Sequence, residues 1–325
     1  MKAAALTRTG TFEVVDVDDP TPGPGELVLR VGACGICGSD LKSYKSFPAG
    51  AVLGHEFCGE VVAVGQGVSE WRAGAVAAAL PVRPCGSCRW CLGGEPAHCE
   101  KADLLGLGIS AGAFAEYVRV DSALSVPITA GLGHYGALVE PLAVGLHAVA
   151  AARLRPEDRV LVIGGGSVGV AVTTWARRLG AGEIVVSDPA ADRRDSAAVF
   201  GATAVHDPSA GPAPGEFDAV IECVGAPGLV QSATQAATVH GRVVVAGVCL
   251  ETDPLVPIVS LMKEVEIAFA VYYRLQEFAA AARALDRGEI DPGPFVTDRV
   301  ALDQVGDAFT RLEATTADRK ILVEP

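Results

Sequence analysis

The sequence predicts an α/β fold, with a mostly-β N-terminal region followed by a layered domain built on a parallel sheet. Three observations carry this expectation. Half of the 325 residues are hydrophobic, Gly is abundant and aromatics make up only 6%, a composition that suits buried parallel strands and aliphatic packing. From about residue 142, apolar runs that stop at glycines alternate with segments of helical period, the pattern of βαβ units. Before that point, short strand-like runs are separated by turn-rich stretches such as Pro20-Thr21-Pro22-Gly23-Pro24-Gly25.

Taken in order, residues 12–17, 26–33, 60–64 and 113–120 read as strands, and 142–152 as a helix. A buried strand at 159–164 ends in glycines and a helix follows over 167–179. Strand 183–187 precedes a helix reaching Phe200, and further strands fit 217–223, 241–247 and 265–271. Beyond them lie one helix, 276–287, and a short β tail too small to form a core. The expected division is a first domain at 1–141, a second at 142–271, and a segment at 272–325 that returns to the first.

Charge and composition exclude several classes. The formal net charge is -13 and the isoelectric point about 4.9, so phosphate backbones and anionic membrane surfaces repel the chain, and neither nucleic acid nor membrane is an expected partner. A spanning helix needs ~20 consecutive apolar residues, and Gly, Pro or a charge breaks every such run. Arg8 and Thr9 follow the first apolar patch too soon for a signal peptide, so a cytoplasmic location is expected. Nine cysteines in such a chain point to metal binding or catalysis ahead of disulfides.

The strongest local signal is Cys85-x2-Cys88-x2-Cys91-x7-Cys99. Four thiolates at short spacing wrap one tetrahedral zinc, and Gly86, Gly93 and Gly94 let the backbone curl. A closed four-thiolate site has no open position, so its role is structural, pinning a lobe at about 84–100. An iron–sulfur cluster and metal-free cysteines are the alternatives, and the spacing resembles neither ferredoxin pattern closely.

A second set is dispersed. Cys37 stands in Cys34-Gly-Ile-Cys37-Gly-Ser39-Asp40, His55 and Glu56 follow Gly54, and Glu140 precedes Pro141. Thiolate, imidazole and carboxylate together make a three-ligand site with one open position, as catalytic zinc requires. Taken singly, each is better explained as a surface or satisfied core pair or as a small buried side chain.

Gly164-Gly165-Gly166-Ser167-Val168-Gly169 satisfies G-x-G-x-x-G, between a strand and a helix, and Asp188 lies nineteen residues beyond Gly169 at the end of the next strand. In this context Gly164 turns the chain, Gly166 admits a pyrophosphate, and Gly169 allows close helix–strand packing. The helix N-terminus, at Ser167 and Val168, favours phosphate charge. Asp188 accepts the ribose hydroxyls of NAD and repels the extra phosphate of NADP. Arg193 and Arg194 stand close enough to bind that phosphate, or lie on a solvated helix face. NAD is the expected cofactor, with NADP the lesser candidate.

With these motifs on the page, the chain resembles the zinc-dependent medium-chain dehydrogenases over nearly its whole length. The parts occur in family order: Cys37-Gly38-Ser39-Asp40, Gly54-His55-Glu56, the four-cysteine lobe, Glu140-Pro141-Leu142, the glycine loop and Asp188. Glu140, where simple alcohol dehydrogenases carry a second cysteine, resembles the sorbitol, butanediol and threonine dehydrogenase branch. The resemblance implies a GroES-like catalytic domain joined to a Rossmann domain, two zincs per chain, and a homodimer or homotetramer. It implies catalytic zinc on Cys37 and His55 with Glu140 or Glu56, and Asp40 orienting His55. It implies a small alcohol as substrate, with Ser39 accepting the alcohol proton. Val224-Gly225 and Gly247-Val248 are implied to flank the nicotinamide.

The expected reaction moves a hydride between a secondary alcohol or polyol-like substrate and NAD; a hydroxy-amino acid or amino-cyclitol substrate fits the same scaffold. Only seventeen residues separate Cys37 from His55, and the proton-relay histidine of some relatives falls near Lys42 or Ser43. Cys34, Cys58, Cys223 and Cys249 read as buried structural thiols, and His98, His134, His147, His206 and His240 as packing or surface residues. Tyr44, Phe47, Tyr272 and Tyr273 are candidate substrate-pocket residues. The rival readings are a zinc-free quinone or enoyl reductase, and a non-enzymatic dinucleotide-binding relic.

Overall fold

The computed structural model describes every residue except Ile109. The chain divides into two compact units, Met1–Ala143 with Arg274–Pro325, and Val144–Tyr273.

The first unit is built on a seven-stranded sheet. Its central strand, Glu26–Gly35, pairs antiparallel with Glu56–Val64, Tyr117–Asp121 and Ile321–Glu324. Val76–Ala79 and Ser125–Pro127 extend one edge, and Asp298–Ala301 the other. The C-terminal segment therefore finds its core in this unit, with the helix Val305–Ala314 burying Val305, Ala308 and Phe309. Those residues follow the i, i+3, i+4 spacing of an amphipathic helix, an element the sequence reading did not include. The stretch read as strand 113–120 is strand only from Tyr117; before it, Phe114 exchanges single backbone bonds with Ala4 and Leu53.

The core of this unit is less purely aliphatic than the composition implies. Phe309 lies 4.6 Å from Phe12, 5.2 Å from Tyr44 and 6.1 Å from Phe114, centroid to centroid, within the range of favourable aromatic pairs.

The second unit carries six parallel strands. In spatial order they are Ala204–His206, Glu183–Ser187, Arg159–Ile163, Phe217–Glu222, Ala237–Val245 and Glu266–Phe269. Numbered along the chain this is the order 3-2-1-4-5-6 of the doubly wound fold, with its switch point between Arg159–Ile163 and Phe217–Glu222. The core is apolar strand on apolar strand, with Leu161, Val185, Val220 and Val243 all buried. The helix expected to reach Phe200 breaks into Ala191–Asp195 and a tighter turn, Ala197–Phe200. Helices Leu229–Ala236 and Pro257–Lys263 were not anticipated.

One helical run, Ala130–Ala152, is long and apolar enough to cross a membrane, but two thirds of its most apolar window is buried inside the protein.

Candidate active site

Cys37 is the N-cap of the helix Gly38–Ser43. Its N–H donates to Asp40 Oδ2 at 3.0 Å, and its sulfur accepts the Ser39 hydroxyl at 3.2 Å. His55 and Glu56 stand where the strand Glu56–Val64 begins, and Glu56 is paired in register with Gly35. A side chain at position 35 would meet Glu56, since a Cβ there would lie 2.1 Å from Oε2; the glycine makes room for the carboxylate. Ligand atoms of Cys37, His55 and Glu56 all lie within 4.8 Å of one another. Glu140, buried in the first turn of Val139–Ala152, is not part of that compact set.

Asp40 is fully buried, and its Oδ1 lies 3.3 Å from His55 Nδ1. Neither atom completes a hydrogen bond. Burial lowers the proton affinity of the His55 imidazole, but Asp40 and then Cys37 outweigh it and hold the pKa well above the ordinary value. The site thus favours a positive charge among its anionic donors. A half-buried thiolate beside a buried imidazole and a buried carboxylate at this spacing fits a zinc ion in both donor type and charge.

One member of this site has no sequence motif. Lys320 is 1% exposed, and its ammonium donates to Glu56 Oε1 at 2.6 Å, to Ile36 O at 2.9 Å, and to Glu56 Oε2. Burial pushes its pKa down, but Glu56, then Cys37 and Glu140, raise it above the ordinary value.

The four-cysteine lobe brings Cys85, Cys88, Cys91 and Cys99 within 4.8 Å of one another. A tetrahedron with ~2.3 Å metal–sulfur bonds has edges of about 3.8 Å; Cys88–Cys91 and Cys85–Cys91 are 3.5 and 4.0 Å apart, sulfur to sulfur. All nine cysteines are free. The backbone N–H of Ser87 heads the groups that draw the Cys85 thiol down to about 6, whereas burial pushes Cys91 up to about 12. The lobe fits a metal that neutralises thiolates.

In the second unit Gly164 has φ +98° and follows the strand Arg159–Ile163. Gly166 caps the helix Ser167–Arg178 and has open space where a Cβ would stand. At Gly169 a Cβ would lie 1.8 Å from Gly164 O, so only glycine lets the helix lie this close to the loop. Val168 follows Ser167 in the first turn. Asp188, 2% exposed, accepts the N–H groups of Gly165 and Ala190, both at 2.8 Å. Arg193 Nη1 stands 3.6 Å from the same carboxylate. Arg194 is committed elsewhere, to the carbonyls of Asp188 and Pro189 and to Asp207.

Val224-Gly225 and Gly247-Val248 meet backbone to backbone: a Cβ on Gly225 would lie 2.3 Å from Val248 O. Glu222, absent from the sequence reading, joins the two loops. Its side chain accepts the N–H groups of Val224 and Gly225, and its carbonyl those of Ala246 and Gly247. A cavity of about 410 Å³ opens here, walled in part by Gly225, Gly247, Ile267 and Phe269.

One expectation needs correction, and the placement of the candidate pocket aromatics can be given. Cys34 and Cys58 are buried, but Cys223 and Cys249 are only half-buried, and Cys249 lies beyond its strand on that cavity wall. Tyr44 belongs to the aromatic core, its hydroxyl donating to Glu313, and Phe47 packs against the same core. Tyr273 is buried, and Tyr272 takes a left-handed backbone conformation.

Comparison with known proteins agrees with this geometry. Residues 23–130 match the family described as alcohol dehydrogenase GroES-like domain, and residues 167–287 the family described as zinc-binding dehydrogenase. The chain is 31% identical to a 2-dehydro-3-deoxy-L-galactonate 5-dehydrogenase of Pseudoalteromonas atlantica, over 100% of this chain and 98% of that one. It is 30% identical to a sorbitol dehydrogenase of Bacillus subtilis, over 100% and 97%. A zinc-binding dehydrogenase structure from Sinorhizobium meliloti, bound to NADP, superposes with a TM-score of 0.92 at 34% identity, covering 100% of this chain and 99% of the other.

Fold and donor sets define a class: a metal-dependent dehydrogenase with a GroES-like β unit and a dinucleotide-binding parallel sheet. Within that class, the chain belongs to the zinc-dependent medium-chain dehydrogenase family and is an NAD(P)-linked alcohol or polyol dehydrogenase.

Proposed function

We propose that the protein oxidises a secondary alcohol on a polyhydroxylated substrate, using NAD and two zinc ions per chain. The observation that carries this reading is the compact set of Cys37, His55 and Glu56, with Ser39 at the Cys37 sulfur. The relatives named for sorbitol and for a deoxy-galactonate support the substrate class.

Cys37, His55 and Glu56 would hold the catalytic ion, with Glu140 the neighbouring carboxylate, and Cys85, Cys88, Cys91 and Cys99 the structural one. Bound zinc supplies Lewis-acid polarisation of the substrate oxygen. Asp40 fixes Cys37 through its N–H and faces His55. Ser39 takes the hydroxyl proton and passes it towards solvent. In the other unit, Gly164, Gly166, Gly169 and the helix starting at Ser167 and Val168 receive the pyrophosphate. Val224, Gly225, Gly247 and Val248 border the nicotinamide. The carbon gives a hydride to NAD, the hydroxyl gives a proton, and the products are a carbonyl compound, NADH and that proton.

NAD is preferred on the strength of Asp188. Its buried carboxylate faces the loop, Arg193 lies against it, and Arg194 is already bonded. The NADP-bound relative pulls the other way, so the cofactor comparison is a direct test. We also propose a homo-oligomer, in which the edge strand Glu266–Phe269 meets its copy. Phe269, Leu261 and Met262 are 77%, 69% and 74% exposed there, and edge strands are ready pairing sites. Nine free cysteines suit a reducing compartment such as the cytoplasm.

The test is a metal assay with a panel of polyols, sugar acids and simple secondary alcohols, each offered NAD and NADP. Two zincs per chain, a loss of one zinc and of turnover in Cys37→Ser, and faster reduction of NAD than NADP are expected. A single zinc, or full activity in Cys37→Ser, refutes the proposed mechanism.

A further inference from the structure

The carboxyl edge of the parallel sheet carries two acid–arginine pairs side by side. Ala204–His206 runs parallel to Glu183–Ser187, with His206 in register with Ser187, so Asp188 and Asp207 leave neighbouring strands at the same level. Open α/β sheets bind their ligands outside this edge. The short helix Ala191–Asp195 supplies Arg193 and Arg194. Arg193 stands against Asp188, Nη1 to Oδ2 at 3.6 Å, and Arg194 against Asp207, Nη2 to Oδ2 at 3.0 Å.

The two arginines are held differently. Arg193 lies beside the glycine loop, where a Cβ on Gly165 would stand 3.3 Å from the Arg193 Cβ. Its Nε is buried and has no hydrogen-bond partner among the described residues. Arg194 is engaged on both terminal nitrogens: Nη1 donates to the carbonyls of Asp188 and Pro189 at 2.7 and 2.8 Å, and Nη2 meets Asp207. Asp207 is itself fixed. Its Oδ1 accepts the N–H and the hydroxyl of Ser209, at 2.9 and 2.7 Å, and caps the turn Pro208–Ala210. A carboxylate holds a guanidinium more strongly than a neutral carbonyl does, so Asp207 is the partner that keeps Arg194 from turning to another anion.

We propose that Asp207 is a specificity-determining residue: by holding Arg194 it withholds a guanidinium from the 2′-phosphate of NADP, which Asp188 already repels. The inference rests on the reading of NAD as the cofactor bound at Asp188.

The experiment measures binding of NADH and of NADPH to the full chain by calorimetry, with no alcohol present. Asp207→Asn keeps an oxygen for Ser209 but presents to Arg194 an NH2 group, which cannot accept. NADPH should bind this variant about tenfold more tightly, the lower bound for one hydrogen bond to a charged group, with NADH binding unchanged. Adding Arg194→Met to Asp207→Asn should cancel the gain. An unchanged NADPH affinity in Asp207→Asn overturns the proposal. A gain that survives Arg194→Met also overturns it, since the effect would then belong to the charge of Asp207 alone. Where Asp207→Asn does not fold, Asp207→Ser, which keeps a hydroxyl to cap the turn, carries the same expectations. A parent that binds NADPH more tightly than NADH refutes the NAD reading, and this proposal with it; a parent that prefers NADH, with that preference unmoved in the variants, overturns this proposal alone.

Discussion

Removing either partner of the Glu56–Lys320 pair should destabilise the first unit far more than removing both. Glu56 and Lys320 are each 1% exposed, so a single neutral substitution leaves an uncompensated charge in the interior. Such a change costs about 3–5 kcal/mol. Lys320→Met with Glu56→Gln removes both charges while keeping most of the volume. Its remaining loss is the Ile36 carbonyl's partner, about 1–3 kcal/mol for a buried acceptor left unsatisfied. Additive single losses would sum to ~6–10 kcal/mol, so the double variant should fall short of additivity by several kcal/mol. The assay is urea unfolding of the metal-free protein in chelator, which removes metal linkage from the comparison. Trp71 packs on the core of this unit and Trp175 is buried in the other, so selective Trp→Phe backgrounds let each unit be followed separately. A double variant whose loss equals the sum of the singles, within ~0.5 kcal/mol, refutes the reasoning.

Other residues make separate tests. In Gly169→Ala the added Cβ would lie 1.8 Å from Gly164 O. The loop and helix must part, at a cost of about 1–3 kcal/mol, so Trp175 should report earlier melting of the second unit and NAD should bind more weakly; parent-like binding and melting would contradict the packing argument. Asp188→Asn removes a negative charge that, at ~6 Å and an effective dielectric of ~20, repels a like charge by about 3 kcal/mol. The ratio of kcat/KM for NADP over NAD should then rise by about 100-fold, and an unmoved ratio would show that Asp188 does not set the preference. Asp103 is also testable by pH. Burial raises its pKa, but Ser110 and Arg83 outweigh burial and hold it below the ordinary 3.8. Its contribution is present above that ordinary value and lost as pH falls through the lower folded value. Asp103→Asn should therefore flatten the acid limb of the stability profile below about pH 4; an unchanged limb would rule the pair out.

What could be read from the sequence was the chemistry confined to short windows. Cys85 to Cys99 and Gly164 to Gly169 each declare themselves because spacing alone fixes which atoms meet. The strands Glu183–Ser187 and Arg159–Ile163 were legible for a related reason: both are short apolar runs ended by turn signals. Lys320 was not legible, because the partner that permits its burial lies across a sheet and far along the chain. Nothing near Lys320 marks it as interior, and only the antiparallel register with Gly35 does so. Glu222 left a fainter trace as a lone carboxylate ending the apolar strand Phe217–Glu222. Its purpose emerges only when two separate loops are seen to share it. Tyr44, a candidate pocket residue by its type alone, packs its ring against Phe12 and Phe309, a placement that its own stretch of sequence does not announce.

The two donor sets are held by different forces, and this predicts how each responds to metal loss. Three of the four lobe cysteines are only half-buried, and the stretch around them offers little apolar burial. The N–H groups of Cys85 and Lys101 point at the Cys99 sulfur, each at 3.3 Å. A metal bound there would then supply a large part of the lobe's folding free energy. By contrast, His55, Glu56 and Lys320 are buried at or next to strand ends, and sheet pairing among Glu26–Gly35, Glu56–Val64 and Ile321–Glu324 sets their places. That sheet does not need the ion. A chelator should therefore raise amide exchange across 84–100 while leaving the strand amides of 56–64 and 321–324 protected, because register, not metal, builds the second set.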